Sequence, residues 1–281
     1  MENEILRYCC ITQDIGNLRL ISVSINGLQG MFLFDTGAQI TCIRDSFFHN
    51  ASGRLSEVTL KGGGSSGNAA LFETGELDSI SIAGFTEKNV TVGIIPDETM
   101  DYVFGAVVAF FLDRPNNSQD KIQADGILGW DVISAYRWEY DCDQKKLVIS
   151  NERSYDSALN LSWDVFPIID VKLNGSKARM AFDSGHTETI LAPSAKDAVM
   201  DLNPVTDNTV GFDGESGENA YCAEEVMIEI TCEKIVLHDV VMYDRQLHGI
   251  PNYEIAGLLG ADLLEGKSWI IDFPSGEVKI I

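Results

Sequence analysis

The sequence predicts an all-β protein built from two related halves with few short helices. Apolar and polar residues alternate in short runs such as 19–25 and 164–173, which is typical of strands with one buried face. Each run is followed by an Asn-Gly dipeptide, Asn26-Gly27 in the first half and Asn174-Gly175 in the second, and this dipeptide favours two-residue hairpin turns. Closely similar apolar segments follow both turns. The two halves are therefore expected to begin with the same hairpin.

Two blocks of sequence occur twice. In the first block an aspartate follows an apolar run and precedes a hydroxyl residue and a glycine; the two aspartates, Asp35 and Asp183, are 148 positions apart (183 − 35). The second block repeats at 131 positions (257 − 126). The matched segments are 31–38 with 180–186, and 125–133 with 256–264. One Asp-Thr/Ser-Gly turn is a weak signal, but repetition of two separate blocks indicates an internal duplication.

The change of offset places an insertion of 17 residues (148 − 131) in the first half, at about 97–123. Its apolar part, 102–112, is too short to cross a bilayer. We expect a covering helix or an extra strand on the first half, with a partner-binding element as the alternative.

The boundary between the halves is expected in the polar segment 151–160. This gives an N-terminal lobe of residues 1–152, which carries Asp35, and a C-terminal lobe of residues 153–281, which carries Asp183.

Short strands account for most of the remaining pattern. They are predicted at 58–60, 77–82, 90–95, 226–230 and 235–243, with a closing hairpin in each half, 137–140 with 146–149 and 269–272 with 277–281. The best helical pattern is 193–200, which has proline at an early helical position. One or two helical turns are also expected at 130–135 and 261–264.

The composition excludes several classes of function. The formal net charge of −23 opposes binding to nucleic acid, which needs a basic surface, and to anionic membranes; we interpret the acidity as a source of solubility. The six cysteines form no Cys-x-x-Cys pair and indicate free thiols rather than a zinc site. Residues 1–4 do not resemble a signal peptide, so the expected location is the cytoplasm unless a leader has been removed.

Phe-Asp-Thr-Gly-Ala followed by Asp-Gly-Ile-Leu-Gly, with counterparts in the second half, resembles the retropepsin-like aspartic peptidases. These belong to the clan of pepsin and the retroviral proteases, and the chain resembles a single-chain, two-lobed form of them. The resemblance extends from about residue 18 to the C-terminus. It implies a bilobal acid-protease fold, in which two pseudo-twofold-related barrel-like lobes enclose the active cleft.

By this resemblance Asp35 and Asp183 form a catalytic dyad that holds a water molecule. Like charges so close together cannot both ionise cheaply, so one pKa rises and the pair titrates as a unit. Thr36 and Ser184 are expected to tie the two catalytic loops together. The full set of expected supporting residues is Thr36, Gly37, Ala38, Ser184, Gly185 and His186. The alternative for each aspartate taken alone is an ordinary turn.

The resemblance also implies that no metal or cofactor is needed. The expected partner is a peptide or protein substrate, and the chain is expected to be a monomer because it supplies both halves of its site.

Ala38 and His186 depart from the family pattern. In acid-active relatives a hydroxyl at this position donates a hydrogen bond to the catalytic carboxylate and lowers its pKa. Because neither residue has a hydroxyl, the dyad is expected to work nearer neutral pH. The imidazole of His186 either perturbs the dyad directly or points away and packs, and Glu188 is a candidate partner for it.

Two glycine-rich segments, 61–68 and 209–217, lie between strand patterns after the two aspartates. Hairpins at these places would close over the cleft and exclude water. The flap candidates are Gly62, Gly63, Gly64 and Ser65 in the first segment and Gly211, Phe212 and Gly214 in the second. The alternative is a pair of exposed loops. The first segment also fits G-x-G-x-x-G, but a strand pattern rather than a helix follows it, which disfavours a dinucleotide site.

Three functions are compatible with these residues. The leading hypothesis is an aspartic endopeptidase that activates water between Asp35 and Asp183. The second is a catalytically weak or inactive peptide-binding module with the same fold. The third is a structural or regulatory protein that uses the insertion as a binding element.

Overall fold

The computed structural model describes residues 5–10, 12–64, 69–112, 123–153, 159–164, 166–211, 214–250 and 254–281. Over these residues the chain is mostly β-strand with few short helices, and the predicted all-β, two-lobed fold is confirmed. None of the described helices has the length and apolar character needed to span a bilayer.

The first half contains strands β1 to β11. They are β1 Arg7–Cys10, β2 Thr12–Ile15, β3 Leu18–Ile25, β4 Leu28–Phe34, β5 Cys42–Arg44, β6 Arg54–Gly63, β7 Ala69–Ile82, β8 Phe85–Ile95, β9 Gly126–Leu128, β10 Arg137–Asp141 and β11 Lys146–Ser150. Its helices are α1 Asp45–Asn50, α2 Asp97–Leu112 and α3 Trp130–Ile133.

The second half contains strands β12 to β21. They are β12 Leu161–Asp164, β13 Phe166–Leu173, β14 Ser176–Phe182, β15 Ile190–Leu191, β16 Leu202–Gly211, β17 Gly214–Ile230, β18 Glu233–Tyr243, β19 Gly257–Leu259, β20 Trp269–Asp272 and β21 Glu277–Ile280. Two 3-10 helices accompany them, Pro193–Ala198 and Ala261–Leu264.

Each half folds into an eight-stranded sheet that closes on itself. The first sheet has the order β2-β3-β4-β9-β5-β8-β7-β6, and an additional pairing of β7 with β3 closes a barrel. The second has the order β12-β13-β14-β19-β15-β18-β17-β16, closed by β17 with β13. The strand order of the second sheet thus repeats that of the first.

A separate five-stranded sheet joins the halves. Its order is β1-β11-β10-β20-β21, so strands from the first half pair directly with strands from the second. At the junction β10 runs antiparallel to β20. The two terminal hairpins predicted from sequence are confirmed, and their pairing with each other gives the halves a common sheet.

Both predicted Asn-Gly hairpins are confirmed. Asn26 and Gly27 connect β3 to β4 with φ of 49° and 89°, and Asn174 and Gly175 connect β13 to β14 with φ of 47° and 86°. Two consecutive positive φ values match the twist of the flanking strands and favour asparagine and glycine. The hairpins fix the register of the strands that lead to Asp35 and Asp183.

The middle hairpins are longer than predicted. Strand β7 runs without a break through Glu73–Glu76, a polar stretch that the alternating pattern does not mark as a strand. It forms because β7 pairs with both β6 and β8 and then reaches β3. Strand β17 is extended in the same way.

The inserted segment forms the covering helix α2. Its buried side chains Met100, Phe104 and Val108 join a core cluster with Leu33 and Ile127 on the outer face of the first barrel. The later part of the predicted insertion, 113–122, lies outside the described residues. The predicted lobe boundary within 151–160 also includes residues, 154–158, that fall outside them, so it stays a prediction.

Candidate active site

Asp35 and Asp183 each follow the last residue of a hairpin strand. The backbone N–H of Asp35 donates to the carbonyl of Leu128 at 3.1 Å, and that of Asp183 donates to the carbonyl of Leu259 at 2.9 Å. Strands β9 and β19 therefore hold the two aspartates. The carboxyl group of Asp183 lies close enough to that of Asp35 to raise its pKa through charge and hydrogen bonding. The structure thus brings the predicted dyad together.

Gly37 and Gly185, the glycines of the two Asp-Thr/Ser-Gly sequences, each pack against the carboxyl group of the opposite loop. A Cβ atom on Gly37 would lie 2.3 Å from Cγ of Asp183, and one on Gly185 would lie 2.4 Å from Cγ of Asp35. Both distances are far below van der Waals contact, so any larger residue would push the dyad apart. The need for glycine here comes from this close approach across the two halves.

Backbone donors hold both carboxylates. The N–H groups of Gly37 and Ala38 donate to Oδ1 of Asp35 at 2.8 and 2.9 Å. Those of Gly185 and His186 donate to Oδ1 of Asp183 at 2.9 and 3.1 Å. Each loop therefore fixes one oxygen of its own carboxylate, which orients the other oxygen.

The environment of Asp35 favours its protonated form. Partial burial raises the pKa of Asp35 well above its usual range, and the charge and hydrogen bond of Asp183 raise it further. The N–H groups of Gly37 and Ala38 act in the opposite direction because they stabilise the carboxylate. The raising effects are larger, so the dyad retains a proton at pH values where an exposed aspartate has lost it.

Thr36 and Ser184 link the two loops symmetrically. The hydroxyl of Thr36 donates to the carbonyl of Phe182 at 3.0 Å and accepts from the N–H of Ser184 at 3.0 Å. The hydroxyl of Ser184 donates to the carbonyl of Phe34 at 2.8 Å and accepts from the N–H of Thr36 at 3.1 Å. Both residues are buried, with 1% and 4% of their surface exposed, so these bonds are shielded from water and fix the distance between the loops.

A second pair of bonds, which the sequence analysis did not assign, supports each loop. Thr41 donates from its hydroxyl to Asp131 at 2.8 Å. Thr189 donates to Asp262 at 2.7 Å. Each threonine hydroxyl also accepts the N–H of the glycine that ends the crossing segment, Gly129 or Gly260, at 3.0 or 3.1 Å. The two threonines are 148 positions apart and the two aspartates are 131 positions apart. These are the offsets of the two repeated blocks, so both pairs could have been identified from the sequence.

The imidazole of His186 stays within its own loop. Its Nδ1 lies 2.7 Å from the backbone carbonyl oxygen of Glu188, and its backbone rather than its ring contacts Asp183. Of the two alternatives, the structure favours a ring that packs locally. Ala38, at the matching position, packs against the cluster beneath α2.

The flap candidates occupy the ends of the two long hairpins. Gly62 and Gly63 end β6 and Gly64 follows them, whereas Ser65 lies outside the described residues. Gly211 ends β16 and pairs with Gly214 at the start of β17, whereas Phe212 lies outside the described residues. The structure therefore shows paired strands leading into both glycine-rich segments. Their closure over the dyad stays a prediction.

Two other predictions concern metal and cysteine. In the described ranges no group of three or more His, Cys, Asp or Glu side chains is suitably placed for a metal ion. All six cysteines are free thiols. Burial raises the pKa of Cys10 and of Cys42 to about 12, so neither is an activated thiolate.

The comparisons with known proteins agree with this geometry. Residues 21–132 match the family model described as aspartyl protease, a stretch that runs from strand β3 through the first catalytic loop to the strand that crosses behind it. The comparison with curated proteins found no match. Over this part of its first half, the chain is thus similar to the retropepsin-like aspartyl proteases.

Proposed function

We propose that the chain is an aspartic endopeptidase that hydrolyses peptide bonds with a water molecule activated between Asp35 and Asp183. The observation that carries the proposal is the contact between the two carboxyls, each packed on the glycine of the opposite loop. Two carboxyl groups that share one proton supply a general acid and a general base in the same place.

The chemistry follows from the protonation of the pair. The raised pKa of Asp35 makes it the better candidate for the protonated member, which donates a hydrogen bond to the scissile carbonyl. The other carboxylate takes a proton from water as the water oxygen attacks the carbonyl carbon. The resulting tetrahedral intermediate collapses when the leaving nitrogen receives a proton, and the C–N bond breaks.

An extended polypeptide is the substrate class that suits the surroundings of the dyad. Hairpins β6–β7 and β16–β17 would cover a substrate from both halves, with backbone pairing along the strand and side chains alternating into pockets. Phe72 on β7 would lie about 3.0 Å from a Cβ placed on Gly62, which brings an aromatic ring to the base of the first flap. That the glycine-rich ends of these hairpins act as flaps over the substrate is part of this proposal.

The direct test is cleavage of an unfolded protein from about pH 3 to pH 8, a range that includes both acid and neutral conditions. Wild type, Asp35→Asn and Asp183→Asn would be assayed side by side, with and without a pepstatin-type inhibitor. We expect cleavage by wild type alone and its loss with the inhibitor, because either amide abolishes the shared proton. Asp197→Asn is the matched control, since Asp197 is exposed in the 3-10 helix at Pro193–Ala198.

Two results would contradict the proposal. Cleavage that survives in both dyad variants would show another mechanism or a contaminating protease. A folded wild-type protein that binds unfolded polypeptide without cutting it at any pH would favour the peptide-binding module instead.

A further inference from the structure

Asn17 connects the first half to the second catalytic loop. It lies in the turn between β2 and β3, and its Nδ2 donates to the backbone carbonyl of Thr187 at 2.6 Å. Thr187 belongs to the loop that begins at Asp183 and ends at Thr189. Only the Nδ2 side of an amide can donate to a carbonyl oxygen, so this contact fixes the orientation of the Asn17 amide.

This contact is partly shielded from solvent. Asn17 is 8% exposed, and a hydrogen bond in such a position is costly to lose because the carbonyl of Thr187 would be left without its donor. The bond joins residues that are 170 positions apart in the chain. It therefore constrains the tertiary position of the loop rather than its local conformation.

The inserted helix α2 supports the same turn. Gly16, directly before Asn17, has φ of +58°, and a Cβ placed on it would lie 2.2 Å from Cδ1 of Phe111. Phe111 is near the end of α2 and packs against the cluster that includes Phe104 and Ile127. Helix α2 also contacts strand β16 of the second half. Helix α2 thus packs against the turn that carries Asn17, whose side chain donates to the second loop.

The contact has no equivalent residue in the duplicated half. At an offset of 148 the position that matches Asn17 is 165, and that residue is valine, whose side chain cannot donate a hydrogen bond. Of these two matched positions, only position 17 has a side chain that can donate a hydrogen bond.

We propose that Asn17 is a positioning residue, which holds the Asp183 loop in register with Asp35 through the carbonyl of Thr187. The inference rests on the proposed function, because register matters only if the two carboxyls share a proton and a water. Charged groups on or near this loop are Asp35, Asp183, His186, Glu188, Asp207 and Asp262. A shift of the loop would change their distances, and with them the titration of the dyad.

The test compares three variants. Asn17→Leu keeps the branched shape but lacks the donor, and Asn17→Gln keeps an amide. Asn160→Leu is the matched control, because Asn160 is 9% exposed and its Nδ2 also donates to a distant carbonyl, that of Val278, at 2.9 Å. Two properties are measured: kcat and KM for peptide hydrolysis, and the pH dependence of unfolding in each variant relative to the same variant with Asp35→Asn.

For Asn17→Leu we expect kcat to fall at least about tenfold with little change in KM, since small displacements of reacting groups are costly. The pH midpoint that depends on Asp35 should shift as well, and Asn17→Gln should recover part of both properties. Asn160→Leu should lose stability while its kcat and its pH midpoint stay at the wild-type values.

Wild-type kcat and an unchanged midpoint in Asn17→Leu would overturn the inference. Absence of turnover in the wild-type protein would instead count against the proposed function. In that case a shifted or unchanged pH midpoint of unfolding in Asn17→Leu is sufficient to decide whether Asn17 positions the loop.

Discussion

At the scale of single residues, the dyad costs the folded protein stability. The pKa of Asp35 is raised in the fold by burial and by Asp183, so the folded state holds a proton that the unfolded chain has lost. The stability that this group contributes is fully present below its pKa in the unfolded chain, about 3.9, and is lost as pH rises through its pKa in the folded protein. Each unit of the shift corresponds to about 1.4 kcal/mol.

Asp35→Asn should therefore be more stable than wild type at neutral pH. The gain in the free energy of unfolding should grow from about pH 4 upward, because the amide never ionises. Denaturant unfolding at several pH values measures it, with the exposed Asp197→Asn as the control. A gain that is the same at every pH would show that ionisation of Asp35 is not its cause.

The lack of a hydroxyl at Ala38 is expected to affect the pH at which the dyad works. Ala38→Ser would place a hydroxyl near Asp35, whose Oδ1 already accepts the backbone N–H of residue 38 at 2.9 Å. A donor to the ionised form lowers the pKa, so the alkaline limb of the profile of kcat/KM against pH, which reports loss of the Asp35 proton, should move to lower pH. Ala178→Ser, on strand β14 away from this loop, should leave it in place. An unmoved profile in Ala38→Ser would exclude the missing hydroxyl as the reason for activity nearer neutral pH.

Sequence reasoning located the residues that the structure brings together at the candidate site because the duplication marked them twice. Asp35 and Asp183, with Thr36 and Ser184, could be paired by offset alone. Asn17 could not, because its bond to Thr187 depends on how the two halves pack, and the matching position has no polar side chain.

At the scale of elements, the two catalytic loops behave as one unit. Thr36 and Ser184 make four hydrogen bonds between them and the backbones of the opposite loops. Removing either hydroxyl leaves a buried N–H and a buried carbonyl without a partner. Such groups cost about 1–3 kcal/mol each, so the loss of stability should exceed that of an ordinary surface substitution.

Thr36→Val and Ser184→Ala should each lower the free energy of unfolding by roughly 2–5 kcal/mol and reduce hydrolysis. Because the two hydroxyls share one network, the double variant should lose less than the sum of the single losses. Thr36→Ser keeps the hydroxyl and is the control. Additive losses in this cycle of chemical denaturation measurements would show that the two loops are held independently.

The elements that the sequence did not predict are those fixed by pairing over long distances. Strand β7 continues through polar residues because three neighbouring strands accept it. Helix α2 was expected only as one of two forms of the insertion, since its apolar residues fit a strand or a buried helix equally well. Its contact with the Gly16 turn arises from tertiary packing alone.

At the scale of the whole molecule, the five-stranded sheet makes the two halves depend on each other. Arg137 on β10 donates to Asp272 on β20 at 3.0 Å, and the side chain of Asp272 is completely buried. Buried ion pairs add little net stability, but removing one partner of such a pair is strongly destabilising. This pair lies across the boundary between strands of the two halves.

Arg137→Met should therefore lower the free energy of unfolding by about 3–5 kcal/mol. Arg54→Met is the matched control: Arg54 pairs with Asp78 at 2.8 Å, but both side chains are more than half exposed, so its loss should stay within about 1 kcal/mol. Denaturant unfolding followed by tryptophan fluorescence measures both, because Trp138 and Trp269 lie on the paired strands β10 and β20. Similar small losses in the two variants would show that the halves are held together by the backbone ladder without help from the buried pair. A large loss in Arg137→Met alone, in a single transition, would show that the ion pair stabilises both halves together, as a dyad assembled from both of them requires.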